Sequence, residues 1–377
     1  MTVKSLDVVI LGAGIAGASL AASLAGDRAV IIVEIEDRPG RHATGRSAAM
    51  FAETYGNRTI RALTRASRRF LLSPPLGFVE TPLLSPRAAL FVCDAARLDS
   101  LNREEASAPD VYRRVSGEEA RAIVPIMRPD WCAAGLLDSA GFDIDVAALM
   151  QGFLKAARRE GASVALGARE TRIARRAGEW VVSTALGDFA APILVNATGA
   201  WGDETACAAG VAPVGLAPKR RTAMTLAAPE GMDIRSWPLV IDVEEEFYFK
   251  PDAGQILLSP ANEDPEAPCD AAPDDLDIAI AVDRFERATT HSVRRIKHRW
   301  AGLRTFSADR SPVIGFDPNT EGFFWLVGQG GYGIQTAPAA ARAAASMILG
   351  RPLPDDIARE GVSAKDLAAD RAGLRLK

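Results

Sequence analysis

The chain of 377 residues is poor in the residue types that build metal centres, disulfide scaffolds and catalytic triads. Histidine occurs only at His42, His291 and His298, so a His-rich metal site or a Ser-His-Asp site is poorly supplied. We therefore expect no metal. The cysteines are scattered and form no CxxC pair, which argues against a disulfide scaffold and fits a reducing compartment; they are Cys93, Cys132, Cys207 and Cys269.

The sequence also lacks an excess of charge of either sign. Lys and Arg number 44 against 48 Asp and Glu, a net charge of −4, so we expect no nucleic-acid partner. Apolar residues make up 48% and charged residues 24%, which is typical of a soluble globular protein and excludes long disorder. The length predicts two domains, or one large α/β body with an insertion.

Long hydrophobic runs are scarce, and residues 8–25 form an uncharged stretch of 18 residues. This stretch has some features of a signal peptide, but it is short and Gly-rich for a membrane span. It also divides into a strand, a glycine turn and a helix. We therefore expect a cytoplasmic protein without stable membrane insertion. Peripheral contact with the inner membrane through a quinone stays open, although no basic amphipathic helix is apparent.

The same N-terminal stretch has the pattern of a dinucleotide-binding βαβ unit. Residues 7–11 (DVVIL) form an apolar, β-branched run, as expected of a strand buried on both faces of a parallel sheet. GAGIAG follows at residues 12–17, then a helix of small residues, and a second apolar run at 29–33 ends at Glu34. The whole order, within about 30 residues, predicts a Rossmann-like cofactor site.

Each position of this motif has a mechanical reason. Gly12 permits the tight turn, Gly14 lets the backbone approach a pyrophosphate, and Gly17 lets the helix pack closely on the strand. The helix N-terminus offers free N–H groups to the anion. Glu34 is placed to accept hydrogen bonds from a ribose diol, which disfavours NADP because that cofactor carries a phosphate there.

The loop after the second strand helps to choose between NAD and FAD. Residues 35–51 (IEDRPGRHATGRSAAMF) are rich in Gly, Ser and Arg. So long a loop is unusual for an NAD-dependent dehydrogenase. It suits passage along a longer cofactor, from the pyrophosphate towards a flavin ring.

Other strand signals lie far along the chain. Residues 323–327 (FFWLV) precede a glycine turn at 328–336 and an Ala-rich helix, whose N-terminus would stabilise the negative charge of a reduced flavin. Residues 195–201 (VNATGAW) are a further apolar strand that ends at glycine. Residues 218–250 alternate apolar and polar side chains, which predicts antiparallel sheet, and the Pro/Asp-rich residues 260–275 predict a mobile loop.

These signals predict an α/β fold with a discontinuous Rossmann-like FAD-binding domain and a second α+β substrate domain built on an antiparallel sheet. We assign residues 1–85, 145–215 and 300–377 to the FAD-binding domain. Residues 86–144 and 216–299 form the substrate-binding domain in this prediction.

Several motifs together resemble the FAD-dependent amino acid oxidases and dehydrogenases of the D-amino-acid oxidase superfamily. They are GAGIAGAS, TGRSAA, VNATGAW, FYFKPDAG, WAGLR and GFFWLVGQGGYGIQT, and they span nearly the whole chain. The TGRSAA loop, the KRR at residues 219–221 and GGYGIQT look most like the D-arginine dehydrogenase branch.

The resemblance implies which residues hold FAD and line the flavin. They are Gly12, Gly14, Ile15, Ala16, Gly17, Glu34, Ala43, Thr44, Gly45, Arg46, Ser47, Ala48, Ala49, Met50, Gly199, Gly330, Gly331, Tyr332, Gly333, Ile334 and Gln335. The chain has no cysteine after Cys269, so we expect the FAD to be non-covalently bound.

The resemblance also implies a site for an amino acid substrate. Arg221, Tyr248 and Arg304 would bind its carboxylate, and Tyr55 would lie on a loop over the site. The carbonyl of Gly331 would accept a hydrogen bond from the substrate amine, with Gln335 nearby. Hydride transfer from Cα to flavin N5 would then give an imino acid, which hydrolyses to a 2-oxo acid and ammonia.

Two positions depart from the D-arginine dehydrogenase pattern. Met50 stands where that branch has a histidine, and a thioether cannot donate a hydrogen bond. Ala89 stands where the branch has an acid that meets a cationic side chain, and a guanidinium buried without a partner is costly. We therefore expect D-amino acids with uncharged side chains to be preferred.

Three other interpretations stay open. The same chemistry could act on a secondary amine, such as an N-methyl amino acid, glycine or D-proline. The chain could bind flavin without turnover, or it could be an NAD-linked dehydrogenase. The sequence does not indicate whether the electron acceptor is a quinone or O₂. It does not indicate the oligomeric state either.

Overall fold

A computed structural model of the chain describes residues 6–169 and 171–374. Strands and helices are mixed along these residues, and several strands follow one another directly, as β9 to β13 do. The strands, in chain order, are β1 Val8–Leu11, β2 Val30–Val33, β3 Met50–Phe51, β4 Leu84–Pro86, β5 Ala89–Cys93, β6 Arg113–Ser116, β7 Ala134–Asp138, β8 Phe142–Ile144, β9 Ser163–Ala165, β10 Arg172–Arg176, β11 Glu179–Thr184, β12 Gly187–Ala191, β13 Ile193–Asn196, β14 Ala217–Ala227, β15 Leu239–Asp242, β16 Tyr248–Asp252, β17 Gln255–Ser259, β18 Asp264–Pro265, β19 Ile296–Phe306, β20 Val313–Phe316, β21 Phe323–Val327 and β22 Gln329–Gly330.

Side-chain caps fix where several helices begin. Asn57, Asp145 and Asp274 each accept a hydrogen bond from a backbone N–H of the first turn that follows. The helices are α1 Ile15–Leu24, α2 Arg58–Leu72, α3 Leu98–Ser107, α4 Gly117–Ile123, α5 Val146–Arg159, α6 Gly202–Ala208, α7 Asp275–Ala288, α8 Gly333–Ile348, α9 Asp355–Arg359 and α10 Ala364–Leu367.

A six-stranded sheet contains the N-terminal motif. Its order is β20-β21-β13-β1-β2-β9, and every pair except β20–β21 is parallel. Strand β1 lies between β2 and β13, with Val8 opposite both Val30 and Ile193. The glycine turn follows the carboxyl end of β1, a strand that has a parallel neighbour on each side. Folds of this kind bind ligands in the crevice at that point.

A ten-stranded sheet forms the second part of the molecule. Its order is β22-β19-β14-β17-β16-β15-β5-β7-β6, with β18 paired to β14. Its pairs are antiparallel except for β15 with β5. The two longest strands, β14 and β19, place Lys219 opposite Arg304 and Arg221 opposite Gly302. The predicted α/β fold with a second, largely antiparallel sheet is confirmed.

Two smaller antiparallel sheets, β10-β11-β12 and β3-β8-β4, complete the fold of the residues that the structure describes. One core packs α1, α2, α5 and α8 against the six-stranded sheet, and includes Leu20, Leu63, Phe153 and Phe324. A separate core under the ten-stranded sheet packs α7 on β16 and β17 through Phe285. Because each sheet has its own apolar core, the space between them is left for polar and functional groups. No helix among the described residues has the length and apolarity needed to cross a membrane.

Candidate active site between the two sheets

A cavity of about 430 Å³ extends from the carboxyl end of β1 to the face of the ten-stranded sheet. Most residues predicted from the sequence line it, from both ends of the chain. These lining residues are Gly12, Gly14, Ile15, Ala16, Glu34, Ala43, Thr44, Arg46, Ser47, Ala48, Gly199, Arg221, Tyr248, Arg304, Gly330, Gly331, Gly333 and Ile334.

The glycine turn shows why two of its positions exclude a side chain. Gly12 has φ +100°, and a Cβ there would lie 2.6 Å from the carbonyl oxygen of Ala197. A Cβ at Gly17 would lie 2.0 Å from the carbonyl oxygen of Gly12, so this glycine permits the close packing of α1. A Cβ at Gly14 would meet no atom nearer than 3.4 Å. Gly14 lines the cavity, and the absence of a side chain there leaves its backbone accessible to a pyrophosphate.

Glu34 lies at the end of β2 and faces the same cavity. One carboxylate oxygen accepts from the N–H of Ala13 at 2.7 Å, and the other accepts from the N–H of Glu36 at 3.0 Å. These bonds fix the orientation of the carboxylate. Each oxygen has a further lone pair, so Glu34 is able to accept hydrogen bonds from a ribose diol as well.

The loop after β2 bends over α1. The hydroxyl of Thr44, in a short 3₁₀ turn at Ala43–Arg46, accepts from the N–H of Ile15 at 3.0 Å. A Cβ at Gly45 would lie 2.6 Å from the carbonyl oxygen of Gly40, so the turn needs glycine there. Gly17, Gly45, Ala49 and Met50 are placed beside the cavity rather than among its lining residues.

Arg46 links this loop to the second sheet. Its guanidinium donates to the carbonyls of Ala271 and Ala301, both at 2.9 Å, and forms an ion pair with Asp270. The hydrogen bond from Arg46 lowers the pKa of Asp270 despite partial burial. Asp270 also pairs with Arg41 at 3.2 Å. Residues 260–275, predicted as a mobile loop, are thus attached to the cofactor side of the cavity at Asp270.

Sequence reasoning missed several lining residues. Trp201 lines the cavity with its ring 4.7 Å from that of His42, although only Gly199 of this segment was predicted. A strand that ends in ATGAW at the cofactor edge was the signal that could have revealed it. Other missed residues, such as Ile173 on β10 and Ala271 in a loop, lie in segments without a motif.

The far end of the cavity brings two guanidiniums together. Arg221 on β14 and Arg304 on β19 occupy neighbouring strands on one face, and Tyr248 on β16 lies near both. Arg304 Nη1 donates to the hydroxyl of Tyr55 at 3.1 Å. The structure therefore assembles four predicted substrate residues from four separate segments, although Tyr55 itself is not a lining residue.

The charges at this end shift one another's pKa. Burial lowers the pKa of Arg221, and the positive charge of Arg304 lowers it further. Burial alone would raise the pKa of Tyr248, but Arg304 and Arg221 lower it below the ordinary tyrosine value. Burial opposes the charge on Arg304, yet Tyr55 and Tyr248 together raise its pKa. The arrangement favours negative charge in the space between these groups.

The carboxylate of Glu263 only partly balances these cations. It lies 3.5 Å from Arg221, but it also pairs with Lys219 at 3.1 Å and with Arg310 at 2.8 Å. Burial would raise the pKa of Glu263, but its hydrogen bonds from Arg310 and Lys219 lower it to about 2. Because one acid is shared among three cations, this end of the cavity keeps a positive charge suited to a carboxylate ligand.

The C-terminal glycine turn closes the cavity beside Arg304. A Cβ at Gly331 would lie 2.7 Å from Arg304 Nη1, so the backbone packs directly against the guanidinium. Tyr332 is buried with its ring 4.8 Å from that of Tyr55 and is not a lining residue. Helix α8 then begins at Gly333, with its N-terminus beside the cavity.

Gln335 is placed away from the expected amine. Its side chain is 2% exposed; Oε1 accepts from the N–H of Ala52 at 3.1 Å and Nε2 donates to the hydroxyl of Thr64 at 2.9 Å. This amide therefore holds the loop after β3 to α8 and α2. Met50 pairs with Asp143 across β3 and β8, and its methyl group packs near Gly141.

A glycine turn at the switch point of a parallel sheet, facing a second sheet that carries buried cations, is the arrangement of a dinucleotide-binding protein with an adjoining site for an anionic ligand. The chain belongs to the family described as FAD dependent oxidoreductase, whose model matches residues 7–347. FAD is therefore its cofactor.

Similar proteins match almost the whole length of the chain. The "Uncharacterized oxidoreductase YurR" of Bacillus subtilis is 25% identical over 373 residues, which cover 93% of this chain and 96% of that protein. Glycine oxidase from Geobacillus kaustophilus has a TM-score of 0.80 at 19% identity, covering 92% of this chain and 95% of that one. L-proline dehydrogenase from P. horikoshii has a TM-score of 0.77 at 21% identity, covering 96% and 99%. These structures support the fold; the D-arginine dehydrogenase branch stays a prediction.

Proposed function

We propose that the protein oxidises D-amino acids to imino acids, which hydrolyse to 2-oxo acids and ammonia. The observation that carries this proposal is the pair of guanidiniums, Arg221 and Arg304, at the end of the cavity beside Gly331. Two fixed cations and a tyrosine hydroxyl can hold the α-carboxylate of a substrate in one orientation, and this also fixes the orientation of the substrate Cα.

The cofactor would lie along the glycine turn, with its ribose at Glu34 and its ring towards residues 330–334. When bound, FAD supplies the acceptor for a hydride and its two electrons. Arg221 and Arg304 bind and orient the substrate carboxylate, and Tyr248 donates a hydrogen bond to it. The carbonyl of Gly331 accepts from the substrate amine, which leaves the nitrogen lone pair to assist loss of hydride from Cα.

The proposed preference for uncharged side chains rests on Ala89, which is buried at 3% exposure. Asp138 lies directly opposite Ala89 across β5 and β7, so a carboxyl group is present one strand away. Burial raises the pKa of Asp138, which favours its neutral form. Neither Ala89 nor Asp138 is among the residues that line the cavity, and Asp138 is 2% exposed, so β5 and β7 present no accessible carboxylate to a cationic substrate.

The decisive experiment is an anaerobic absorbance titration of the purified flavoprotein with single amino acids. The proposal expects D-leucine, D-phenylalanine or D-methionine to bleach the flavin bands, while their L-enantiomers do not. A much higher kcat/KM for D-arginine would contradict the side-chain preference but not the reaction. Flavin bands that no amine bleaches would instead support a flavin-binding protein without turnover.

A secondary amine is the second candidate substrate. It is supported by the structural likeness to the L-proline dehydrogenase, whose substrate nitrogen is part of a ring. N-methyl amino acids, glycine, D-proline and L-proline belong in the same titration. Bleaching by these compounds and not by primary D-amino acids would favour this candidate.

A further inference from the structure

Apolar side chains are exposed to solvent at the end of α2 and in the connection that follows it. Leu76 is 100% exposed and Leu72 is 49% exposed, whereas Leu71 and Phe78 on either side are buried at 1% and 7%. The two prolines before Leu76 restrict the backbone, so the exposed leucine is held outward by a stiff segment. A fully exposed leucine beside a second, half-exposed one forms an apolar surface that is a candidate for an interaction.

The base of this segment is rigid. Phe70, Phe78 and Phe153 contact one another with ring centroids 5.0 to 5.5 Å apart. They line a crevice of about 180 Å³ together with Leu76 and Arg159. The crevice is apolar and opens beside the exposed leucine, so apolar groups from outside could contact both.

Cations lie on α2 and α5, the two helices that pack together at the base of this segment. Arg69, Lys155 and Arg158 are exposed, and within residues 6–169 and 171–374 their side chains form no ion pair. Arg159 pairs with Glu160 at 3.2 Å, and the other acid close in sequence is Glu80. This region is thus locally basic although the chain has a net charge of −4. Helix α2 is itself amphipathic and basic, which corrects the expectation that the chain has no basic amphipathic helix.

We propose that Leu72, Leu76 and the cations Arg69, Lys155, Arg158 and Arg159, here named the Leu76 patch, bind the surface of an anionic phospholipid bilayer. Leucine side chains would enter the interfacial region while Lys and Arg contact the headgroups. Self-association through this patch is disfavoured, because two-fold symmetry would bring its like charges together.

The patch lies at the C-terminal end of α2, whereas Tyr55 precedes the N-terminal end. A helix of 15 residues is about 22 Å long, so bilayer binding would leave the contact between Tyr55 and Arg304 well away from lipid. This inference concerns attachment and does not depend on which amine is oxidised.

The test is co-sedimentation of the holoprotein with vesicles of phosphatidylcholine alone or mixed with phosphatidylglycerol. We expect binding to the mixed vesicles that weakens with added salt. Lys155→Ala should weaken it about fivefold and Leu76→Ser about tenfold, while flavin content and melting temperature stay unchanged. Leu276→Ser is the matched control, because Leu276 is 66% exposed on α7 and should leave binding unaffected.

Equal binding of the wild type to neutral and anionic vesicles, or to neither, would overturn the proposal. So would equal binding by Leu76→Ser and Leu276→Ser. A sedimentation-velocity experiment without vesicles completes the test. An oligomer that Leu76→Ser dissociates would assign the patch to a second copy of the chain and also contradict the bilayer.

Discussion

The two ends of the cavity are built in different ways. The cofactor end is formed by backbone within one short βαβ segment, where Gly12 and Gly17 allow chain elements to touch. The substrate end is formed by side chains from distant strands, where Arg221 and Arg304 share a buried space. A site formed by closely packed backbone loses its ligand when a substitution adds volume. A site formed by side chains loses its ligand when a substitution changes their charge or shape. This difference leads to separate predictions for each end.

The largest effect is expected at the cofactor end, from Gly17→Ala. The new Cβ would lie 2.0 Å from the carbonyl oxygen of Gly12, so α1 must move away from β1. We expect loss of FAD and destabilisation by about 3 kcal/mol, measured by the flavin-to-protein absorbance ratio and urea unfolding. Gly26→Ala is the matched control, because no atom lies within 4 Å of a Cβ there. Equal effects of the two substitutions would contradict the packing argument.

At the substrate end, Arg304→Lys should lower kcat/KM for the best amine by about 100-fold while FAD stays bound. An ammonium keeps the charge but cannot reproduce the fork that contacts Tyr55 and packs on Gly331. Steady-state kinetics measures the loss. Arg299→Lys on the same strand is the control, since Arg299 is exposed and pairs with Asp275. Wild-type kinetics in Arg304→Lys would place the carboxylate elsewhere.

A smaller effect is expected where the two ends are joined. Asp270→Asn removes the charge that pairs with Arg46 and Arg41, so the FAD dissociation constant should rise about tenfold. The comparison variant is Asp275→Asn, which removes a surface pair with Arg299. Titration of apoprotein with FAD at low and high salt measures both variants. An unchanged affinity in Asp270→Asn would show that this ion pair does not retain the cofactor.

The smallest effect concerns acid stability at the substrate end. The pKa of Glu263 is about 2 in the folded protein, below the ordinary value of 4.5. A lowered carboxyl pKa stabilises the fold above the ordinary value, and this contribution is lost as pH falls through about 2. Because Glu263 is 27% exposed, we expect Glu263→Gln to cost about 1–2 kcal/mol at pH 7.

Urea unfolding at several pH values tests this expectation. The difference between wild type and Glu263→Gln should shrink between pH 5 and pH 2, as protonation makes the two side chains alike. A difference that stays constant over this range would assign the effect of the substitution to packing.

Much of the cofactor end was predictable because its signals are local. The glycine turn, Glu34 and the 43–48 loop follow within 40 residues, and the structure brings them to one cavity. The pairing of Asp270 with Arg46 was not predictable, since it joins residues 224 positions apart. Gln335 shows the opposite case: it lies in a motif, yet its amide binds Ala52 and Thr64. The roles of the site residues and the domain boundaries stay predictions.

By itself the sequence determined the fold class and the FAD-dependent family, because glycine spacing and apolar runs act through steric rules that operate over a few residues. Only the tertiary structure decided which cations share a buried space, which acid partly neutralises them and which leucines stay outside the core. Those outcomes depend on strand register and on how the two sheets meet. Arg221 faces Gly302 across β14 and β19, a pairing across 81 positions that no local pattern specifies.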